Sequence, residues 1–227
     1  MIQLLLERAA LPTASKPSFL SHADSEVTVL DVGCGIGGTT RYLAKEKGWN
    51  VTGVTISDVQ VSMAYDMSRK ASAATTSTTA TPALTPSSPL SQASSEDTDL
   101  SSPKVTLANG SVRFQTLDAE LIDSNFTHNS FDLVWISEAL SHLPNKPKFF
   151  KDAQTLLQPG GRLIIADWIK AEDLTAEQKV QDIDPIEKGM LLPPLSTAKG
   201  YVQLAQEAGL ELVDDVMDIS EKVAKTW

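Results

Sequence analysis

A chain of 227 residues is long enough to bury one proper core, and a single domain over 1–227 is the expectation. Its formal charge of −10 and pI near 4.7 argue against a nucleic-acid partner, whose backbone it would repel. Three histidines and one cysteine leave no structural zinc site and no disulfide framework, which points to a reducing, cytoplasmic setting and no bound metal.

Residues 1–11 (MIQLLLERAAL) are apolar but too short to span a bilayer, and they lack a basic n-region and a cleavage site. Leu4, Leu5, Arg8 and Ala9 fit a short amphipathic helix, ended by Pro12, that packs against a sheet. No longer apolar run exists, so no membrane span is expected.

Residues 27–32 carry Val27, Val29, Leu30 and Val32 in a short apolar run with turn residues directly after it, the pattern of a strand buried on both faces. Gly33, Gly35 and Gly37 follow, where the lack of a Cβ allows a tight turn and close approach of a partner. Cys34 reads as a small residue in that turn rather than a reactive thiol. Thr39 or Thr40 is placed to cap the next helix, which holds Tyr42, Leu43 and Ala44 and has Gly48 just past its end. A strand, a glycine turn and a helix N-terminus together make a site for a nucleotide-type ligand.

The spacing Gly33-x-Gly35-x-x-Gly38 also satisfies a dinucleotide fingerprint, so the ligand is decided by charge. Asp31, two residues before the first glycine, puts a carboxylate at the strand mouth, where it would repel a pyrophosphate. A phosphate-free ligand carrying an ammonium and a sulfonium would be attracted, and S-adenosylmethionine fits that description.

Residues 50–56 read as a second strand, with Ser57 capping a helix and Gln60 at the capping-box position. Strand, turn and helix thus repeat, the rhythm of a parallel sheet whose ligand lies across the carboxyl ends of the strands. Thr55, Ile56, Ser57 and Gln60 then fall beside the first loop, while Asp58 favours the helix dipole. In residues 71–104, 26 of 34 are Ala, Ser, Thr or Pro, the composition of a disordered insert at the amino ends of the strands.

Residues 111–117 read as a third strand ending in Asp118-Ala119-Glu120, where Asp118 by itself reads as a helix cap. Residues 131–137 form a fourth strand that ends at Ser137 and delivers Glu138 and His142. On residues 146–157, Phe149, Phe150, Ala153, Leu156 and Leu157 share one helix face, and Pro159-Gly160-Gly161 stops the helix. Residues 162–167 read as a fifth strand, with Asp167 and Trp168 at its end. Within 171–200, Thr175 and Gln178 look like a capping box, and 190–195 (MLLPPL) reads as an apolar lid or a surface connector. Ser196 or Thr197 starts a helix that Gly209 closes, and 210–219 read as a sixth strand.

Residues 29–44 (VLDVGCGIGGTTRYLA), 51–60 (VTGVTISDVQ) and 132–144 (DLVWISEALSHLP) resemble class I S-adenosylmethionine-dependent methyltransferases. The similar branch is the one holding sterol, tocopherol and other small-molecule enzymes, including those of fungal secondary metabolism. The resemblance implies an α/β, Rossmann-like, doubly wound and mostly parallel sheet. It assigns cofactor contacts to Asp31, Gly33, Cys34, Gly35, Gly37, Thr55, Ile56, Ser57, Gln60, Asp118, Ala119 and Ser137, with Asp118 accepting from the adenine amine. Relatives often read Glu-x-x-Glu-His where this chain keeps Glu138 and His142 but has Ser141; His142 is then the first candidate base and Glu138 the second.

The family's sheet has seven strands, and residues 220–227 are too short for its closing helix and strand, so the last strand is expected to be lacking. The chain is then a truncated member, or a homo- or hetero-oligomeric partner supplies the missing part. Three functions remain in play: methyl transfer to a small, largely apolar molecule at O, N or C; a catalytically silent cofactor-binding subunit; and a dinucleotide oxidoreductase.

Overall fold

The structure, a computed structural model, describes residues 1–8, 27–76 and 102–224. The elements run α1 (Ile2–Arg8), β1 (Thr28–Val32), α2 (Gly38–Lys47), β2 (Asn50–Thr55) and α3 (Asp58–Thr76). Next come β3 (Val105–Leu107), β4 (Gly110–Thr116), α4 (Ile122–Asn125), β5 (Phe131–Ser137), α5 (Lys146–Leu156) and β6 (Leu157–Ala166). Short α6 (Ala176–Gln178) and α7 (Asp184–Gly189) are followed by α8 (Ala198–Glu207) and α9 (Ser220–Val223).

The strands form one sheet in the order β3-β4-β2-β1-β5-β6, parallel throughout except where β3 runs against β4. Alternation along the central strands sorts their side chains to two faces. Leu30, Val32, Val134 and Ile136 face a cluster with Phe149, Phe150 and Leu156 of α5 and Tyr201 of α8. Val29, Val51, Leu133 and Trp135 face the other, with Leu6 of α1, Leu43 of α2 and Tyr65 of α3. The expected doubly wound α/β fold is therefore present, and α1 packs on the core as expected, but through Leu6 with Ile2 and Leu5 beside it and not through Leu4. Ala9 and Pro12 lie outside the described residues.

The expected face of α5 is buried in full, and Asn145 caps the helix by accepting from the Lys148 amide. α5 ends at Leu156, ahead of Pro159-Gly160-Gly161, and that triplet lies within β6, which pairs Leu157 with Phe131 and then Arg162 with Leu133. The residues between bulge out of the ladder, with Gly160 at φ 82°.

Three expectations change. The insert begins later than 71, because α3 continues through Thr76; residues 77–101 lie outside the described residues. Its return is halfway up β4 rather than at the amino end: the Arg113 guanidinium donates to the Ser102 carbonyl at 2.7 Å, and β3 then descends along the sheet edge. Residues 210–219 form no strand. Leu212, Val213 and Val216 are at least half exposed there, and four carboxylates interrupt the segment, so pairing would cluster like charge. β6 is thus an edge strand among the described residues.

Candidate functional site

The chain winds outward from β1 through β2 to β4 on one side, then returns to β5 on the other. The loops after β1 and β5 therefore part at a switch point, where open α/β sheets form their ligand crevice. These two loops touch: a Cβ placed on Gly33 would lie 2.3 Å from that of Ala139.

Gly33, Gly35 and Gly37 all have positive φ, at 74°, 55° and 76°, but only one of them faces open space. A Cβ on Gly37 would strike the Phe114 ring at 2.5 Å, whereas one on Gly35 meets nothing within 4 Å. The close approach at Gly33 and Gly37 is thus to the protein itself, and Gly35 alone is left for a ligand. Cys34 points inward, where a Cβ on Gly53 would meet its sulfur at 2.9 Å. Burial, with the Asp31 charge second, pushes its thiol well above the ordinary range, so it is a packing residue and not a nucleophile.

Asp31 is not at the mouth of the strand. It is 2% exposed beneath the loop, and its carboxylate accepts from the Thr40 hydroxyl at 2.6 Å. Burial pushes its pKa up to about 6, against the lowering effect of Thr40. Alternation turns Asp31 toward α2, beneath the glycine loop. Thr40 is consequently no helix cap. The N-cap is Gly37, and neither Thr39 nor Thr40 supplies a capping bond.

At the end of β2 the polar residues serve one another. The Thr55 hydroxyl donates to the Gln60 side-chain carbonyl at 2.7 Å, and Ser57 accepts from the Gln60 amide at 3.3 Å. Ile56, between them, is 76% exposed. Pairing of Thr55 with Thr116 sets Ile56 beside the end of β4, where Asp118 is exposed and Ala119 buried. Asp118 caps the turn Ala119–Leu121, accepting from the Glu120 amide at 2.9 Å. An open glycine loop, an exposed aliphatic surface and an exposed carboxylate on three neighbouring strand ends fit an adenosine-type ligand.

Ser137 ends β5 half-buried, opposite Ala166. Glu138 follows at φ 56°, a left-handed conformation that costs a non-glycine residue roughly 1–3 kcal/mol. Glu138 and His142 are both exposed on the loop after β5. The turn between them, Leu140–His142, is gripped from two sides. One Asp167 oxygen accepts from the Leu140 and Ser141 amides at 2.6 and 3.2 Å, and the other from the Trp168 amide at 2.7 Å. Lys146 donates to the Ser141 and Leu143 carbonyls at 3.3 and 3.0 Å.

Neither grip is legible from spacing, although a carboxylate directly after an apolar strand was the available signal for Asp167. The capping box at Thr175 and the Thr197 cap form as expected, and Gly209 closes α8 at φ 89°. In residues 190–195 Leu192 and Leu195 are buried, as in a connector packed on the core, while Met190 and Leu191 are exposed. Among the described residues no three metal-ligating side chains cluster, and no helix is long and apolar enough to cross a membrane.

Comparison with known proteins agrees with this fold. The chain is 32% identical over 204 residues to the chloroplastic tocopherol O-methyltransferase of Arabidopsis thaliana, covering 88% of this chain and 48% of that protein. It is 33% identical over 187 residues to the 2-methyl-6-phytyl-1,4-hydroquinone methyltransferase of Synechocystis, covering 81% and 46%. The chain thus spans about half the length of these curated relatives. The crystal structure of phosphoethanolamine N-methyltransferase 2 of Haemonchus contortus shares the fold, with a TM-score of 0.61 at 18% identity, over 99% of this chain and 39% of that one. Residues 4–215 match the family described as a methyltransferase domain, and the chain belongs to that family.

Proposed function

We propose that this chain transfers a methyl group from S-adenosylmethionine to a small, largely apolar acceptor in the cytoplasm, with no nucleic-acid partner. The observation that carries this is the adjacency of the open Gly35 loop, the exposed Ile56 and Asp118 on the ends of β1, β2 and β4. The relatives named for tocopherol and phytyl-hydroquinone methylation support an apolar acceptor. So do the exposed side chains of Ile169, Val180, Ile186, Met190 and Leu191 after β6.

Bound in this crevice, the cofactor supplies a methyl group on a positively charged sulfur whose leaving group is neutral. The chain's own part is alignment, which contributes roughly 7–11 kcal/mol at best. The Gly35 backbone admits the ligand, Ile56 offers an apolar face to the purine, and Asp118 an acceptor to its amine. Asp31, buried below, holds negative potential under the positive end. His142 accepts a proton from an acidic acceptor group, with Glu138 the second candidate on the same loop.

Labelled methyl transfer into a cell extract, with mass identification of the product, tests the reading. Label in a small apolar product is expected. Cofactor binding without label in any fraction favours a second reading, a silent subunit that works with a partner. That reading draws on β6 being an edge strand among the described residues. Thermal stabilisation by NAD, with none by S-adenosylhomocysteine, would overturn both.

A further inference from the structure

Outside this crevice, a cleft of about 420 Å³ opens where the start of α5 faces the start of α8. Its walls include Lys146, Lys170, Pro193, Pro194, Leu195 and Thr197, and neither the glycine loop nor Ile56 nor Asp118 takes part. Two features of it stand out chemically. It is flanked by prolines and leucine, and its only charged lining residues are two lysines.

Lys146 is 7% exposed. Its ammonium has three donors, and the protein supplies two acceptors, the Ser141 and Leu143 carbonyls. Neither lysine has a carboxylate within 4 Å among the described residues. The nearby acids are turned to backbone amides instead: Asp167 to Leu140, Ser141 and Trp168, Glu187 to Leu195 at 2.7 Å, and Glu172 to Lys199 at 2.8 Å. Burial holds the Lys146 pKa below its usual range even though Asp167 and Glu187 pull it up. A buried cation with a donor to spare among the described residues and no carboxylate in direct contact is costly, and an anion seated beside it relieves that cost.

We propose that this cleft is a binding site for a small amphiphilic anion, a carboxylate or phosphate monoester whose oxygens meet Lys146 and Lys170 and whose apolar body lies on Pro193, Pro194 and Leu195. The proposal is independent of the methyl-transfer reading, because it uses neither the cofactor residues nor turnover.

Calorimetric titration of the full chain with octyl phosphate, octanoate, inorganic phosphate and neutral octanol tests it. Saturable one-to-one binding of octyl phosphate or octanoate is expected, at least tenfold tighter than that of inorganic phosphate or octanol. Lys170→Gln, at the rim, should weaken it at least fivefold, while Lys45→Gln on α2 leaves it unchanged. Lys146→Gln should weaken it further; if that variant does not fold, Lys170→Gln decides alone. No saturable binding, equal affinity for octanol, or unchanged affinity in Lys170→Gln would overturn the proposal.

Discussion

The Thr40 hydroxyl donates to the Asp31 carboxylate at 2.6 Å beneath the glycine loop, in a place closed to water. Such a carboxylate is kept at a cost. With its pKa raised from 3.8 to about 6, the folded chain binds the Asp31 proton more tightly than the unfolded one. The contribution of this group to stability is therefore complete below about pH 4 and lost as pH rises through 6. The difference corresponds to about 3 kcal/mol. Asp31→Asn, which keeps an acceptor for Thr40, should melt several degrees higher than the parent at pH 8 and equal to it near pH 4. S-adenosylhomocysteine should no longer stabilise the variant. In the parent, affinity for the cofactor should fall about tenfold per pH unit below 6, measured by calorimetry. A flat profile between pH 5 and 8 would remove Asp31 from the cofactor's field.

The three loop glycines should separate on substitution. Gly33→Ala meets Ala139 at 2.3 Å and Gly37→Ala meets Phe114, so both should lower the melting temperature by several degrees through the fold. Gly35→Ala carries only the left-handed penalty of about 1–2 kcal/mol and should fold. It should nonetheless weaken cofactor binding at least tenfold, because the space its methyl takes is the ligand's.

Ile56 offers a cleaner separation still. At 76% exposure it contributes little to folding, and Ile56→Ala should change stability by less than about 0.5 kcal/mol. A several-fold rise in the cofactor Kd is expected from lost apolar contact. Unaltered binding would mean that the purine lies elsewhere.

Asp167 accepts three backbone amides and so fixes the turn between Glu138 and His142. Asp167→Ala leaves those amides without their acceptor, at about 1–3 kcal/mol each where they stay dry. Turnover should fall at least tenfold while the cofactor Kd changes little. A parallel loss of both would make Asp167 a residue of the fold and not of the turn.

Glu138 holds a left-handed backbone that glycine adopts without strain. Glu138→Gly should be as stable as the parent or more so in thermal melts, and slower in methyl transfer. His142→Gln, on the same loop but exposed, should keep stability and lower kcat by roughly 10²–10⁴ if the acceptor must lose a proton.

The sequence by itself determined the architecture and the end of the sheet where a crevice opens, because both rest on local rules. Continuous apolar runs such as 29–32, followed by glycines and a helix pattern, give buried parallel strands, and parallel strands put the crevice at their carboxyl ends. Contacts across the chain were decided only by tertiary structure. Thr40 looked like a cap until the pleat of β1 turned Asp31 toward it. Thr55, Ser57 and Gln60 looked like ligand contacts, yet bond one another and leave Ile56 bare. The grip of Asp167 on the turn joins residues 27 and 26 apart that no periodicity links, whereas Lys146 reaches it from three to five residues away. The segment 210–219 had strand-like composition but pairs with no strand among the described residues, and strand formation depends on such pairing as much as on the residues themselves.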